Sequence, residues 1–136
     1  MAMVLDASMA LAWCFPDEAS AYSESVLVRV AETEAVVPGI WPLEVANGLL
    51  IGERRQRLGP VTVARSVELL LGLRIRVESG DVLRSLGAIR GLAREVGLSA
   101  YDASYLDLAL GLGLPLATAD RRLSDAAARL GVPLVQ

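Results

Sequence analysis

Residues 98–120 constrain the fold of this chain more than any other stretch, because they predict a complete helix-to-strand unit. Ser99 is a suitable N-cap for a helix, and Asp102 falls three residues later, in the first turn. Two glycines further on indicate where that helix ends. The apolar run that begins at Pro115 predicts a buried strand of the kind found inside parallel sheets. A helix joined so closely to a buried strand favours an α/β fold.

The rest of the chain repeats this alternation. Strands are predicted in the segments Met3–Ser8, whose apolar part ends at Asp6, Ala35–Ile40, Leu73–Glu78 and Pro133–Val135. Strands that alternate with helices predict a three-layer α/β/α sandwich with a central, mostly parallel sheet. We expect one domain over residues 1–136, since no linker or low-complexity segment interrupts the pattern.

Helices are predicted between these strands. They cover residues 9–14 with Ser8 as N-cap, 18–31, 43–56 and 61–71. A further helix, opened by Ser79 or Asp81, runs to Val96, and a last helix capped by Asp120 or Ser124 runs through Leu130. In the helix over 79–96, six apolar residues are expected to share one face: Leu83, Leu86, Ile89, Leu92, Ala93 and Val96.

The absence of two residue types excludes several kinds of chemistry. The chain has no histidine, which excludes histidine-based triads and histidine-ligated zinc sites. All 13 basic residues are arginine, so lysine Schiff bases and Walker-type phosphate loops are excluded as well. Carboxylates, hydroxyls, arginines and bound metal remain as candidates for catalysis.

Composition also bears on location and assembly. The single cysteine, Cys14, cannot form an internal disulfide, which suits a reducing cytoplasm. No signal peptide is expected, and no apolar run reaches the roughly 18 residues of a membrane span, so we expect a cytoplasmic protein. The net charge of −3 disfavours a generic protein that coats nucleic acid through a basic surface. The apolar fraction of 54% exceeds the usual level of about 45–50%, which favours a homodimer interface.

Four acidic residues fall at the predicted junctions of strands and helices: Asp6, Glu44, Asp102 and Asp120. Strand ends and helix starts share one edge of a parallel sheet, so we expect all four carboxylates at that edge. Carboxylates placed together raise one another's pKa unless a cation keeps them ionised. Sites rich in carboxylates and without histidine suit Mg²⁺ or Mn²⁺. The four acids together therefore predict a metal site.

Helix capping is an alternative explanation for every one of these acids except Asp6, when each is taken singly. Asp6 closes an apolar strand in a stretch almost free of charge, where a carboxylate needs a partner. Two hydroxyl residues, Ser8 and Thr118, are candidates for a supporting role, because each lies two residues from one of the acids. Both also have the ordinary roles of capping a helix or satisfying the backbone.

Four segments carry a family resemblance: Met3–Ser8, Trp41–Asn47, Leu98–Ser104 and Leu116–Leu123. In their order and intervals, over nearly the whole chain, they resemble the PIN-domain ribonucleases, and most of all the VapC toxins of bacterial and archaeal toxin–antitoxin pairs. Ala119 stands where members of this family often have asparagine, so a polar contact beside Asp120 is missing here.

The resemblance implies that the same four acids hold Mg²⁺ or Mn²⁺ in a metal-dependent endoribonuclease, the toxin of a toxin–antitoxin pair. It also implies a homodimer and a cognate, VapB-like antitoxin whose tail blocks the site. Arginines are the candidates for contacts with RNA phosphates. Those nearest the site are Arg121 and Arg122, and the more distant ones are Arg54, Arg55 and Arg57.

Other functions remain alternatives. A housekeeping RNA-processing nuclease would use the same acids, and a catalytically silent PIN domain would serve as an interaction scaffold. A receiver domain would need a lysine, which the chain lacks. A haloacid-dehalogenase-like phosphatase would need a second aspartate where Ser8 stands.

Overall fold

The computed structural model describes residues 1–136 and has a four-stranded sheet at its centre. The strands are β1 (Met3–Leu5), β2 (Ala35–Pro38), β3 (Ile75–Glu78) and β4 (Leu116–Ala117). They lie in the order β3-β2-β1-β4, and every pair of neighbours is parallel. The first two strands and β4 are fully buried, which explains their uninterrupted apolar sequence.

The helices are α1 (Ala7–Cys14), α2 (Ala21–Glu32), α3 (Trp41–Arg54), α4 (Pro60–Leu71), α5 (Val82–Arg84), α6 (Arg90–Val96), α7 (Ala100–Leu112) and α8 (Arg121–Arg129). A 3₁₀ turn covers Pro16–Glu18, and a π-helical segment, Ser85–Ile89, joins α5 to α6. No helix is long and apolar enough to cross a membrane.

The helices form two layers, one on each face of the sheet. Helix α1 packs against α2, α3 and α4, whereas α7 crosses β1, β2 and β4 and packs against α6. Right-handed crossovers place these two groups on opposite faces, because the chain moves from β1 to β3 in one direction and returns to β4 in the other. The predicted three-layer sandwich is confirmed.

Strand register sets the edge where the acids lie. Leu5 in β1 is level with Ala117 in β4, so the residues that follow them, Asp6 and Thr118, emerge side by side. Pro38 ends β2 one strand further along, and α3 starts three residues later. The carboxyl ends of the strands therefore meet at one edge, as expected for a parallel sheet.

The helix expected over residues 79–96 differs from the prediction. Ile89, Ala93 and Val96 are buried, but Leu83 is 83% exposed and Leu86 is 64% exposed. The π-helical segment Ser85–Ile89, which contains Leu86 and ends at Ile89, explains the difference, because its wider turn shifts the helical phase. Residues before this segment therefore do not share a face with those after it.

Three smaller predictions were also wrong. Helix α1 begins at Ala7 with Asp6 in the N-cap position, so Ser8 lies inside the first turn and does not cap it. The helix expected from residue 18 begins at Ala21, because Ser20 forms a capping box with Ser23. The strand expected at 133–135 is a single bridge to β4.

Candidate functional site

Asp6 is the most buried of the four acids, with 5% of its surface exposed. Its Oδ2 atom accepts hydrogen bonds from the Ser8 hydroxyl at 2.5 Å and the Thr118 hydroxyl at 2.7 Å. Backbone N–H groups orient both hydroxyls: Ala119 donates to Ser8 Oγ and Asp120 donates to Thr118 Oγ1, each at 3.0 Å. Each hydroxyl thus accepts from a backbone N–H group of the β4–α8 corner and donates to Oδ2 of Asp6. The other carboxylate oxygen, Oδ1, has no hydrogen-bond partner in the protein.

Glu44 is held in a similar way. It lies in the first turn of α3, and its Oε1 atom accepts a hydrogen bond from the Tyr105 hydroxyl at 2.5 Å. Tyr105 is fully buried on α7, one turn after Asp102. Burial and the nearby Glu44 raise the pKa of Tyr105 far above its ordinary value, so the tyrosine keeps its proton and acts as a donor. Oε2 of Glu44 has no partner in the protein.

The structure separates the capping and site explanations for the remaining acids. Asp120 is the N-cap of α8, and its Oδ1 atom accepts from the backbone N–H groups of Arg122 and Leu123 at 2.8 and 3.2 Å. Asp102 does not cap α7, because Ser99 takes that role by accepting from the Asp102 backbone N–H. Capping thus explains one oxygen of Asp120 and leaves the Asp102 carboxylate unexplained.

Burial and electrostatic repulsion within this group of four acids raise the pKa values of three of them. Burial raises the pKa of Asp6, of Glu44 and of Asp102 above the ordinary values. The charges of Asp102 and Asp120 raise the pKa of Asp6 further, and those of Asp6 and Asp102 do the same for Glu44. The structure's four ion pairs all use other acids. The four carboxylates therefore form a cluster of like charge without a paired arginine.

The donor set of this cluster suits a hard divalent cation. Asp6, Glu44 and Asp120 each have one oxygen bound by a protein donor and one oxygen without a protein partner. Protein donors of this kind fix a carboxylate for metal binding. As arranged here, no group of three acids is spaced to hold an ion together. Joint binding of one ion therefore requires at least three of the acids to come closer together than they lie here.

The arginines differ in how close they lie to this cluster. Arg122 donates from Nη2 to the Gly97 carbonyl at 3.2 Å, and its charge lowers the pKa of Asp102 against the larger effect of burial. Arg121 is exposed at the start of α8 and takes part in no ion pair. Arg122 therefore lies close enough to act on Asp102, and Arg121 directly follows Asp120 in the chain.

The arginines at the end of α3 are less suitably placed. Arg57 donates to Asp17 and Glu18, and its guanidinium lies 4.4 Å from the centroid of the Phe15 ring. Arg54 and Arg55 are exposed, but Arg54 lies ten positions after Glu44 on α3, a rise of about 15 Å along the helix. Arg57 thus links the α3–α4 corner to the segment after α1.

Tyr105 is the site residue that sequence reasoning missed. The signal was present, because a tyrosine stands on the buried face of α7 one turn after an acid. A buried tyrosine hydroxyl usually has a hydrogen-bond partner, and an acid across the sheet edge is a natural one.

The sheet order and the acid cluster together define a class of protein, the α/β domains with a carboxylate site at the carboxyl edge of a parallel sheet. The family model described as PIN domain matches residues 3–129. The chain belongs to the PIN domain family, and its curated relatives place it with the VapC type.

Those relatives match most of the chain. It is 35% identical over 124 residues to VapC ribonuclease Mb0985 of Mycobacterium bovis, covering 90% of this chain and 89% of that one. Ribonuclease VapC3 of Pyrobaculum aerophilum is 32% identical over 128 residues, with 92% and 94% covered. The crystal structure of PAE2754 from Pyrobaculum aerophilum superposes with a TM-score of 0.68 at 26% identity, covering 93% and 87%.

Proposed function

We propose that this protein is a metal-dependent endoribonuclease, the toxin of a type II toxin–antitoxin pair. The observation that carries the proposal is the arrangement of carboxylate oxygens. Three acids at one sheet edge each have one oxygen bound by the protein and one left without a partner. A cation site needs carboxylates that are held in place but are not paired with an arginine, because an ion pair would compete with the cation.

The relatives supply the reaction class. Proteins 32–35% identical over about nine-tenths of the chain are named VapC ribonucleases. We propose the same activity for this chain, because the four acids that the family resemblance implies as metal ligands are the four acids at the carboxyl edge of the sheet. Hydrolysis of RNA phosphodiester bonds is the reaction proposed.

The chain's own residues divide the work at the site. Asp6, Glu44, Asp102 and Asp120 would hold Mg²⁺ or Mn²⁺, with Ser8 and Thr118 fixing Asp6 and Tyr105 fixing Glu44. A bound divalent ion supplies a more acidic water and Lewis acidity toward the phosphodiester. Arg121 and Arg122 beside the acids would contact the phosphates of the strand and hold it against the edge.

The partners of the proposal are an RNA substrate, a second copy of the chain and a VapB-like antitoxin. The VapC names of the relatives support the antitoxin. The apolar composition and several exposed apolar side chains support the homodimer. A cytoplasmic location completes the proposal, because cellular RNA is there.

Cleavage of total cellular RNA tests the proposal. The wild-type protein is incubated with RNA in Mg²⁺, Mn²⁺ or EDTA, beside Asp6→Asn and the matched control Asp125→Asn, which alters an exposed acid of α8. We expect cleavage by the wild type and the control in either metal, and none in EDTA or by Asp6→Asn.

Full cleavage by Asp6→Asn would contradict the site. If RNA is left intact in every condition, induction in cells is the second readout, because a highly selective nuclease still arrests growth. Intact RNA together with normal growth would overturn the nuclease proposal in favour of a silent scaffold.

A further inference from the structure

A cavity of about 410 Å³ opens at the carboxyl ends of β2 and β3, next to the acids but separate from them. Ile40 in its wall lies one turn before Glu44, and Tyr101 lies one residue before Asp102. The first turn of α7 thus lines the cavity through Tyr101 and also carries Asp102. Its volume falls within the range of about 300 to 1,000 Å³ typical of small-molecule pockets.

An ion pair gives the cavity a fixed donor. Arg84 donates from Nε to Asp107 Oδ2 at 2.8 Å and from Nη2 to Oδ1 at 2.6 Å, and both residues line the cavity. A two-point pair of this kind fixes the plane of the guanidinium. Its third nitrogen, Nη1, has no acceptor within the protein and is available to a ligand.

The charges of the wall cancel. Arg84 is paired with Asp107, and the remaining charged lining residue, Glu78, is paired with Arg76. A phosphate would find no uncompensated positive charge here. An uncharged planar group with hydrogen-bonding edges suits the cavity better.

Tyr101 supplies a stacking surface. Its side chain is 61% exposed at the mouth of the cavity, and its hydroxyl has no partner in the protein. Unpaired bases of RNA stack on exposed aromatic rings, whatever their sequence. A stacking ring and a fixed donor beside a neutral cavity are the elements of a base-binding pocket.

We propose that this cavity binds one unpaired base of the RNA strand next to the bond that is cut, with Tyr101 stacking on the base and Arg84 donating to its edge. The inference rests on the proposed function, because it takes RNA as the ligand. It adds a pocket that selects or anchors a base beside the carboxylates.

Photochemical crosslinking tests the pocket without requiring cleavage. The Asp6→Asn protein is mixed with a pool of ten-nucleotide single-stranded RNAs containing 5-iodouridine, irradiated, and mapped by mass spectrometry. We expect a crosslink at Tyr101. The matched control is Tyr22, which is also partly exposed but lies on α2, away from the cavity.

Affinity for the same RNA pool, without iodine, gives the second readout. Tyr101→Ala is expected to weaken binding by about 5- to 150-fold, the usual range for loss of one stacked base. Arg84→Met combined with Asp107→Asn, which leaves no unpaired acid, is expected to weaken it several-fold. The surface control Arg65→Met, on α4 and away from the cavity, should bind as the wild type does.

The outcomes distinguish this pocket from the proposed nuclease function. No crosslink at Tyr101 together with wild-type affinity in the cavity variants overturns the pocket, even if the wild-type protein cleaves RNA. A crosslink at Tyr101 with weakened binding in Tyr101→Ala supports it. If that result comes with no RNA cleavage in any condition and normal growth on induction, the nuclease proposal fails, and the cavity stands as a base-binding site without a cleaved bond beside it.

Discussion

At the scale of single residues, the site depends on how each carboxylate oxygen is occupied. Sequence reasoning placed the four acids at one edge, because strand ends and helix starts are readable from apolar runs, caps and glycines. It did not reveal that Thr118 and Ser8 both bind the same oxygen of Asp6, or that Tyr105 binds Glu44. Those contacts join segments far apart in the chain, and only strand register and helix packing decide them.

Asp6→Asn is expected to stabilise the metal-free protein at neutral pH. Burial raises the pKa of Asp6 in the folded state above its unfolded value of about 3.9, so the folded state binds more protons. Its contribution to the free energy of unfolding therefore falls as pH rises from about 4 through the folded-state pKa. Each unit by which the pKa is raised corresponds to about 1.4 kcal/mol of unfolding free energy at neutral pH, which the asparagine variant should regain.

Urea unfolding in EDTA at several pH values between 4 and 7 checks this expectation. The gain of Asp6→Asn over the wild type should be largest at pH 7 and shrink toward pH 4. A variant that is less stable than the wild type at pH 7 would show that the hydroxyl bonds outweigh burial.

Tyr105→Phe is expected to lower both stability and RNA cleavage. Loss of the buried hydroxyl removes a hydrogen bond to Glu44, at a cost of about 1 to 2 kcal/mol in unfolding free energy. Glu44 also loses the contact that fixes it, so the cleavage rate should fall several-fold. Tyr22→Phe is the control, because its hydroxyl donates to the Val135 carbonyl, outside the acid cluster. Wild-type cleavage by Tyr105→Phe would show that this bond does not position the glutamate.

At the scale of elements, the junctions do most of the positioning. Gly97, between α6 and α7, and Gly113, between α7 and β4, adopt positive φ of 73° and 65°, where a side chain would be strained. Such glycines, together with Ser99, are why this unit is readable from the sequence. The π-helical segment before α6 was not readable, because no residue type marks such a turn and its phase shift depends on packing against α7.

Ser99→Ala is expected to destabilise the protein by about 1 kcal/mol, because α7 loses its N-cap. The same turn carries Asp102, so cleavage should fall modestly as that acid becomes less fixed. Ser25→Ala, which removes an exposed hydroxyl from α2, is the control and should change neither quantity appreciably. Unfolding midpoints and initial cleavage rates measure both effects, and equal values for the two variants would contradict the role of the cap.

At the scale of the whole molecule, the layered fold was predictable because strands and helices alternate along the sequence. The surface through which chains could assemble was less predictable from the sequence. Val82, Leu83 and Leu86 are 74%, 83% and 64% exposed, although Leu83 and Leu86 were expected to lie on a helix face turned inward. Large apolar side chains left exposed on adjacent turns are typical of surfaces that another chain covers.

The proposed homodimer predicts a solution mass of about twice the 14.4 kDa of one chain. Sedimentation equilibrium at several protein concentrations measures it directly. A mass of one chain throughout the concentration range would contradict the dimer. The exposed apolar side chains would then be expected to contact a different protein.

Calorimetric titration with Mn²⁺ tests the central claim most directly, since the claim is that four carboxylates jointly hold one kind of ion. The wild-type protein is compared with Asp6→Asn, Glu44→Gln, Asp102→Asn and Asp120→Asn, and with the control Asp125→Asn. We predict that each of the four weakens Mn²⁺ binding by about tenfold or more, which corresponds to about 1.4 kcal/mol or more, while the control binds as the wild type does. Equal affinity in all six proteins, or no binding by the wild type, would contradict the account.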